Sequence, residues 1–517
     1  MTLTATLKFA GLLFVAALLV LWGRFATAAQ AKGQKQPNIV LVTTDDQPLT
    51  TFSKQWMPNV FKQLAGPGVV FEDAVANAPL CAPSRATLLT GQYPHNTGVL
   101  TNDNSYEKLD DPHNVLPVWL QRAGYRTGHF GKWLHDYEAV RGNKPAPGWD
   151  SWVTLGDKRR YYDYEVSVNG GSVRKGSKPA DHVTAVTSRA ASHFVAKNVK
   201  SKRPLFTQVD YFAPHESARN SDPKCAGAPE PLKSDIGAAK GTKAPQGPSF
   251  NEDDVSDKPY YEQLGKLSKN DIKDLNRRYR CIAESLLGVD RGVGKLVDRF
   301  RDAGELRNTV FIFMTDNGVS LGEHRVADGK SRPWEESIRT PLVIRMPDAV
   351  KGAVDTVDAQ AAGIDIAPTL LELAGAEPCD SGGCRPLDGR SLLAPATGDA
   401  AAFEDRAVLA ELAEKPVDDQ RTWACTFTAL RTSEQILSEA TRVPDPDTKV
   451  CEKGLVHEFY DLADDPYELD NQLGSDGQLD PVTAGPQILQ MAARLDELRN
   501  CSGIAGRDPE SPGGYCE

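Results

Sequence analysis

Between Pro37 and about residue 377 the chain alternates continuous apolar runs with amphipathic stretches. The run NIVLVTT from Asn38 is uninterrupted and rich in β-branched residues, which is typical of a strand buried on both faces. Residues 116–124 have the apolar spacing of a helix that ends at a glycine, and the short strand pattern YRTGHF follows. The alternation predicts an α/β fold in which helices cover both faces of a sheet.

Later segments continue this alternation. We expect a strand over residues 204–212, one or two helices over residues 274–304, and a buried strand in the run TVFIFMT that follows. Residues 216–258 are rich in Pro, Gly, Ala and Lys, and they predict an extended loop.

The sequence pattern changes beyond Leu393, where the predicted helices and strands become shorter and most of the late cysteines occur. We therefore place a domain boundary near residue 395. Residues 37–394 are expected to form the larger, catalytic domain, and residues 395–517 a small α+β domain stapled by disulfides.

The first residues of the chain resemble an export signal. Lys8 precedes an apolar run from Phe9 to Trp22, and Ala26 and Ala28 match the small-residue pattern that a signal peptidase cuts. The apolar run is shorter than the roughly 18 residues of a membrane span. We therefore expect a signal peptide over residues 1–28 and a secreted, extracellular or periplasmic protein, with an uncleaved membrane anchor as the alternative.

Nine cysteines are an odd number for an exported chain, in which cysteines pair. Short spacings suggest three pairs and leave a plausible long-range fourth; the suggested pairs are Cys379 with Cys384, Cys425 with Cys451, Cys501 with Cys516, and Cys225 with Cys281. On that pairing Cys81 stays unpaired.

The charge balance limits the partners. The formal net charge of −11 argues against a nucleic-acid binder or a polybasic membrane protein, because phosphate-rich partners need a positive face. An anionic substrate must therefore meet a local basic pocket.

Polar residues follow several predicted strands, at the edge of the sheet where open α/β folds bind ligands. Asp45 and Asp46 follow the first strand, and Asp316 and Asn317 follow the strand TVFIFMT. Such a pair alone is most simply a helix cap or a polar junction. Two pairs on neighbouring strands would repel without a cation, and their oxygen atoms suit Ca²⁺ or Mg²⁺ better than Zn²⁺.

Four basic residues fall at or near the same edge: Lys132, His135, His215 and Lys330. Each alone has a structural interpretation, since lysines are usually solvated and most histidines are scaffold residues. Together with the acidic residues they predict a positive pocket for an anion. We assign His95 and His324 to the scaffold, because both lie in turn-like segments.

Cys81 begins a predicted helix in which Pro83 suits the first turn and Gly91 ends the helix. Free N–H groups at a helix N-terminus favour an anion and would lower the pKa of a thiol. A structural cystine or a buried free thiol is the alternative, which cysteine parity and the neighbouring Arg85 disfavour.

These residues resemble the type I sulfatase family. The stretch CAPSRATLLTG matches the signature CxPSRxxLLTG, whose CxPxR core directs oxidation of the cysteine to Cα-formylglycine. Further matches, among them NIVLVTTDDQ, YPHNTG, TDNGVSLGEHR and DIAPTLLELAG, extend over about residues 37–475. The runs GKWLHDYE and YYDYEVSVNG are most similar to the N-acetylglucosamine-6-sulfatase branch.

The resemblance implies an alkaline-phosphatase-like fold with a mixed, mostly parallel sheet. It implies a sulfatase that attacks the sulfur of a sulfate ester, in a sulfated sugar or an aryl sulfate, through the hydrated aldehyde formed from Cys81. It implies one Ca²⁺ per chain and a formylglycine-generating enzyme as the maturation partner.

The resemblance also assigns roles to single residues. Asp45, Asp46, Asp316 and Asn317, with the modified Cys81, would bind Ca²⁺; Arg85 would stabilise the diol; Lys132 and Lys330 would neutralise the sulfate; and His215 would contact the sulfate or protonate the leaving oxygen. Many sulfatases have GKWH where this chain has Leu134 followed by His135, so the role of His135 stays open.

Two other functions remain compatible with the sequence. A phosphonate or phosphate ester hydrolase of the same superfamily could share CxPxR, and a catalytically silent protein could keep the fold to bind sulfated glycans. The second alternative predicts lost site residues, yet every expected position is filled.

Overall fold

The computed structural model describes residues 35–156, 160–218, 220, 223–413, 424–448 and 450–517. The expected signal peptide lies outside them. Every helix in the described part of the chain is too short or too polar to cross a bilayer.

The strands of the described residues, in chain order, are β1 (Asn38–Thr44), β2 (Val69–Phe71), β3 (Ala74–Val75), β4 (Arg126–Gly131), β5 (Ser151–Leu155), β6 (Glu165–Val168), β7 (Gly171–Arg174), β8 (Leu205–Asp210), β9 (Thr309–Thr315), β10 (Leu342–Arg345), β11 (Thr356–Val357), β12 (Ala361–Ala362), β13 (Val408–Ala413), β14 (Thr426–Arg431), β15 (Gln435–Pro444) and β16 (Cys451–Asp461).

The longer helices are α1 (Cys81–Thr90), α2 (Leu116–Arg122), α3 (Val183–Asn198), α4 (Lys269–Asp302), α5 (Ile366–Ala374) and α6 (Pro486–Leu498). Shorter helical segments lie at Pro58–Val60, Phe61–Ala65, Pro94–Thr97, Ser105–Lys108, Tyr137–Arg141, Glu335–Ile338 and Leu393–Ala396.

Ten strands form the central sheet in the order β11-β2-β10-β9-β1-β8-β4-β5-β6-β7. The five central strands, β9 to β5 in that order, are parallel, and β10 runs antiparallel to β9. Thr44 of β1 faces Thr315 of β9, and Thr43 faces Asp210 of β8. The carboxyl ends of these strands therefore meet at one edge, as the mixed, mostly parallel α/β prediction requires.

The central sheet, with β1 near its middle, separates two hydrophobic cores. Ile39 and Leu41 pack with α1, α2 and α5 on one face of the sheet, while Val40 and Val42 pack with α3 and α4 on the other. This period-two alternation of a wholly buried strand explains why its sequence is continuously apolar.

Most of the predicted elements are confirmed with small shifts of their ends. The one or two helices expected over 274–304 are one helix, α4, which begins earlier because Ser268 and Asp271 form a reciprocal capping box. The segment 216–258 is irregular as expected, with a single turn of 3₁₀ helix at Pro223–Cys225 among its described residues.

The last part of the chain folds around an antiparallel sheet of four strands, β13 to β16, against which α6 packs. Four disulfides are present, and they are the pairs that the spacing suggested: Cys225–Cys281, Cys379–Cys384, Cys425–Cys451 and Cys501–Cys516. Cys81 is free and buried. The domain boundary near residue 395 stays a prediction.

Candidate active site

The acidic residues after β1 and β9 interlock at the carboxyl edge of the sheet. The backbone N–H of Asp46 donates to Oδ1 of Asp316 at 3.1 Å, and the Asn317 amide donates to Oδ1 of Asp46 at 2.7 Å. Asp46 has a φ of 59°, a left-handed conformation that aspartate tolerates and that turns the chain sharply after β1. Asp45, Asp316 and Asn317 are fully buried. The prediction that both strand ends converge is therefore met by the geometry.

Cys81 is the first residue of α1, which follows an extended Leu80 and ends at Gly91 in the left-handed conformation. Its Sγ lies 3.4 Å from Oδ1 of Asp45 and 2.9 Å from Nζ of Lys330. Burial raises the pKa of the thiol, but the charges of Lys132 and Lys330 outweigh burial and lower that pKa to about 6. The thiol marks the position at which an oxidised side chain would present its oxygen atoms.

Arg85 lies one helical turn after Cys81 and points back into the same cluster. Its Nε and Nη2 donate to Oδ2 of Asp316 at 3.0 and 2.8 Å, and its Nη1 donates to the Lys132 carbonyl at 3.3 Å. Its Nη2 lies 3.6 Å from Oδ2 of Asp45. The fork of the guanidinium therefore fixes α1 against the ends of β1 and β9.

Two lysines complete the cluster. Nζ of Lys132 lies 2.6 Å from Oδ2 of Asp45, an ion pair in which the two atoms are poorly aligned for a hydrogen bond. Lys330 donates to Asp46, whose pKa falls well below its usual range because Lys330 and His215 outweigh burial. Burial and the charge of Asp45 raise the pKa of Asp316 to about 6. Three carboxyl groups thus face three permanent cations.

The two predicted site histidines line the same cavity, and their pKa values shift in opposite directions. The ring of His215 donates from Nδ1 to the Glu216 carbonyl at 2.7 Å, and its Nε2 lies 3.6 Å from Oδ2 of Asp46. Burial lowers its pKa, but Asp45 and Asp46 outweigh burial and raise it above the usual value. Burial and Lys132 hold the pKa of His135 well below its usual range, so this ring is neutral.

The acidic cluster has the donor atoms that a hard cation needs. Oδ2 of Asp45 and Oδ1 of Asn317 are buried oxygens that accept no hydrogen bond. One donor atom from each of Asp45, Asp46, Cys81 and His215 lies within 4.8 Å of the others. This group mixes two carboxylates with a thiol and an imidazole, and the Asn317 amide lies beside Asp46. The oxygen donors of Asp45, Asp46 and Asn317 fit Ca²⁺ or Mg²⁺.

Sequence reasoning missed two residues that support Arg85 from β8 and β4. Nη1 of Arg85 lies 3.7 Å from Oδ1 of Asp210, whose Oδ2 contacts Nε2 of His129 at 2.9 Å. Nδ1 of His129 contacts Oγ1 of Thr154 at 2.8 Å. Asp210 was detectable as the last residue of β8, whereas His129 sits inside a strand and carries no signal of its own. At Gly131 a Cβ atom would lie 1.8 Å from the Asp210 carbonyl, so only glycine permits this approach.

A cavity of about 570 Å³ opens above the cluster. Its floor includes Asp46, Lys132, His215 and Lys330. Its walls come mainly from the segments after β4, β5 and β8 and from α4; they include Trp133, His135, Arg160, Tyr164, Arg278 and Asp328. Cys81 lies directly beneath the floor and is 1% exposed. The cavity is mixed in polarity and suits a small polar molecule.

Three comparisons with known proteins agree with this geometry. The family model described as Sulfatase matches residues 37–376. Human N-acetylglucosamine-6-sulfatase is 31% identical over 73% of this chain and 67% of its own length. A Drosophila melanogaster extracellular sulfatase SULF-1 homolog is 28% identical over 72% of this chain, which spans only 32% of that longer protein.

Among solved structures, BT4656 in complex with its substrate D-glucosamine-2-N,6-O-disulfate superimposes with a TM-score of 0.68 at 22% identity. The superposition covers 90% of this chain and 97% of that one, and at this identity it shows the shared fold. Since the family model covers well over half of the chain, the chain belongs to the sulfatase family, a family of sulfuric ester hydrolases.

Proposed function

We propose that this protein hydrolyses sulfate esters of sugars or aryl alcohols and that position 81 acts as the nucleophile after oxidation of Cys81 to formylglycine. The observation that carries the proposal is the placement of Cys81. A buried, unpaired cysteine begins a helix, and its Sγ lies 2.9 Å from a lysine that lines the cavity floor.

The ionic cluster supports an electrostatic role in sulfate transfer. Lys132, Lys330 and His215 line the floor, where they can neutralise the charge that develops on sulfate oxygens. His215 has a raised pKa and can hold a proton near the leaving oxygen, whereas the neutral His135 can orient substrate at the wall.

Arg85 and the acidic residues prepare the position of attack. Asp45, Asp46, Asp316 and Asn317 would hold one Ca²⁺, which when bound supplies a Lewis acid for a sulfate oxygen. Arg85 keeps Asp316 in place and brings positive charge beneath position 81.

The cavity favours a small sulfated sugar as substrate. Its volume of about 570 Å³ suits one or two sugar rings, and Trp133 and Tyr164 offer apolar surfaces while Arg160 offers a further positive group. The human relative named for N-acetylglucosamine 6-sulfate supports the same class. An aryl sulfate can react simply because its leaving group is good.

The chain's four disulfides support an oxidising compartment, and we propose export through a leader over residues 1–28. The extracellular sulfatase homolog among the relatives agrees with this location. A formylglycine-generating enzyme would act on the CxPxR segment before folding buries Cys81.

Mass spectrometry of the tryptic peptide that contains position 81, from protein made with a formylglycine-generating enzyme, tests the proposal. We expect conversion of the thiol to the aldehyde and hydrolysis of 4-nitrophenyl sulfate and N-acetylglucosamine 6-sulfate. Treatment with EDTA should abolish turnover, and Ca²⁺ should restore it.

Matched esters separate the alternatives. Turnover of 4-nitrophenyl phosphate or a phenyl phosphonate at a higher kcat/KM than the sulfate would favour the phosphoester reaction. Binding of sulfated glycans without turnover by fully oxidised protein would favour a silent binding protein. Full activity with an unmodified thiol would refute the formylglycine mechanism.

A further inference from the structure

A second group of buried ionisable residues lies apart from the cavity, around His324. We refer to it as the glutamate cluster; its members are Glu252, Glu262, Glu458 and Glu468, which are buried, and Glu336, which is half-buried. They come from four separate parts of the chain: the segment before α4, the loop between β9 and β10, the strand β16 and the turn that follows β16. The group therefore joins the larger sheet to the C-terminal sheet.

His324 is fully buried and uses only one of its ring nitrogens. Nδ1 contacts Oε2 of Glu252 at 2.7 Å, which places the proton on Nδ1 when the ring is neutral. Nε2 lies 3.7 Å from Oε2 of Glu336, which is too far for a hydrogen bond, and among the described residues it has no other partner. A buried ring nitrogen without a partner costs free energy unless something binds it.

Two carboxyl oxygens face the same point. Oε2 of Glu336 and Oε1 of Glu468 are buried and accept no hydrogen bond from the part of the chain that the structure describes, although Oε2 of Glu468 accepts the Glu335 N–H at 2.8 Å. One donor atom from each of His324, Glu336 and Glu468 lies within 4.8 Å of the other two. Three donors therefore converge on one point.

Carboxyl groups outnumber permanent cations around His324. Six glutamates surround His324, the five of the glutamate cluster and Glu323. The permanent cations that we find among them in the described residues are Lys258, which is 3.6 Å from Glu252, and Arg332. Both are almost fully buried. Burial raises the pKa of Glu262, Glu458 and Glu468, and Glu252 and Glu336 outweigh burial and raise the pKa of His324, so protons supply part of the missing positive charge. A bound cation would replace these protons and stabilise the ionised carboxylates.

We propose that Nε2 of His324 and carboxyl oxygens of Glu336 and Glu468 bind a divalent transition-metal ion, with Zn²⁺ as the best match. One imidazole nitrogen and two carboxylates suit zinc better than calcium, which prefers oxygen ligands alone. Glu252 would be the carboxylate that orients the histidine through its second nitrogen, as metal-bound histidines require. Ligand atoms of tetrahedral zinc lie about 3.4 Å apart, so the three donors need to close by little more than an ångström.

The ion would act on the loop between β9 and β10. This loop begins with Asp316 and Asn317, carries Lys330, and continues through the Glu335–Ile338 helical turn. A metal bound to both His324 and Glu336 would clamp the loop on either side of Lys330, while Glu468 would fasten it to the turn after β16. The ion thus holds the lysine over the cavity, and this structural role does not depend on the proposed reaction.

Metal analysis and cobalt substitution of the full chain test the proposal. We expect about one zinc per chain by inductively coupled plasma mass spectrometry, in addition to calcium. Cobalt(II) exchanged into this site should show the visible bands of a tetrahedral ion without a thiolate charge-transfer band, which distinguishes it from cobalt on Cys81. Phenanthroline should lower the melting temperature by several degrees, and zinc should restore it.

Variants complete the test. His324→Gln and Glu468→Gln should lose the zinc and the cobalt bands, whereas the matched control Glu262→Gln removes a buried carboxyl group outside the donor set and should keep both. If the ligand variants fail to fold, the wild-type cobalt spectrum and the phenanthroline response decide. The proposal would be overturned if the wild-type protein contained no zinc, showed no cobalt bands and kept its melting temperature with phenanthroline. Undiminished zinc in His324→Gln would overturn it as well. In either case His324 would be an imidazolium paired with Glu252.

Discussion

The two buried ionic clusters on either side of the loop between β9 and β10 are compensated in different ways. At the strand ends, four carboxyl groups meet three permanent cations and His215, whose pKa is raised. The carboxyl groups belong to Asp45, Asp46, Asp210 and Asp316, and the permanent cations are Arg85, Lys132 and Lys330. The glutamate cluster has five carboxyl groups and two permanent cations. The first cluster is nearly neutral before any ligand arrives. In the second, carboxyl groups outnumber permanent cations, and burial raises the pKa of Glu262, Glu458 and Glu468, which favours their neutral forms.

The clusters also differ in access. The strand-end cluster forms the floor of an open cavity, whereas the glutamate cluster is enclosed between two sheets. A balanced but accessible cluster can receive an anionic substrate with little rearrangement. An enclosed cluster acts first on stability, and in the proposed metal-bound form it also fixes the loop that carries Lys330. Changes in the two clusters should therefore differ in the balance between lost activity and lost stability.

The largest effect that we expect is a loss of activity with little change in stability. Cys81→Ser should lower kcat/KM for sulfate esters by about 10⁴-fold or more, because the reacting group is lost. The melting temperature should change little, since serine has nearly the shape of cysteine. Steady-state assays together with thermal denaturation measure both, and an active Cys81→Ser protein would contradict a catalytic role for the strand-end cluster.

In the glutamate cluster we expect the main effect of a substitution to be a loss of stability. Lys258→Met leaves Glu252 and its neighbours without a buried ammonium group and should lower the free energy of unfolding by about 3 to 5 kcal/mol. Urea denaturation measures the change. The matched control Lys266→Met removes only an exposed ion pair with Asp253 and should leave stability unchanged. Equal effects of the two variants would show that the buried carboxylates are already neutral.

A smaller effect should come from Arg85→Lys, which keeps the charge and removes the two-pronged contact with Asp316. We expect kcat/KM to fall by about 10²-fold, because a single ammonium cannot hold the carboxylate in place. Arg126→Lys, at the opposite edge of the sheet, is the control and should be nearly silent. An unchanged rate for Arg85→Lys would mean that charge alone matters.

The smallest effect that we expect is a pH dependence of stability from His95 and Glu411, a partly exposed pair outside both clusters. Nδ1 of His95 contacts Oε1 of Glu411 at 2.9 Å, and its Nε2 contacts the Cys501 carbonyl. Burial lowers its pKa, but the bonds to Glu411 outweigh burial and raise the pKa to about 9. The stabilisation is therefore complete below the unfolded pKa near 6.5 and disappears as pH rises through about 9.

His95→Gln should remove this part of the pH dependence, which we expect to be about 1 to 2 kcal/mol because solvent screens the pair. Unfolding free energies between pH 6 and pH 10 measure it for both proteins. Parallel pH curves would show that the histidine is not charged in the folded state.

Much of the strand-end site could be predicted from sequence, because its residues follow long apolar strands or start a helix with a proline and a C-terminal glycine. The parallel order of the strands then brings Asp45 and Asp316 together without further information. The position of Cys81 follows from the same local signals.

The rest of the molecule could not be predicted in this way. His129 lies inside β4 and meets Asp210 only because β4 and β8 are paired in one particular register. The glutamate cluster joins four distant segments, and nothing near His324 in sequence indicates Glu468. Sequence reasoning assigned His324 to the scaffold because a lone histidine in a turn carries no sign of its spatial neighbours.

The disulfide between Cys225 and Cys281 has a further consequence for the cavity. Cys281 lies on α4 between Arg278 and Ile282, and Ala228 stands three residues after Cys225; all three of these neighbours line the cavity. The disulfide therefore links the irregular segment around Cys225 to α4, a helix about 50 Å long. Reduction would remove this link between the wall segment and α4 and would leave the ionic floor in place, so we expect it to affect substrate binding at the wall more than the chemistry at the floor.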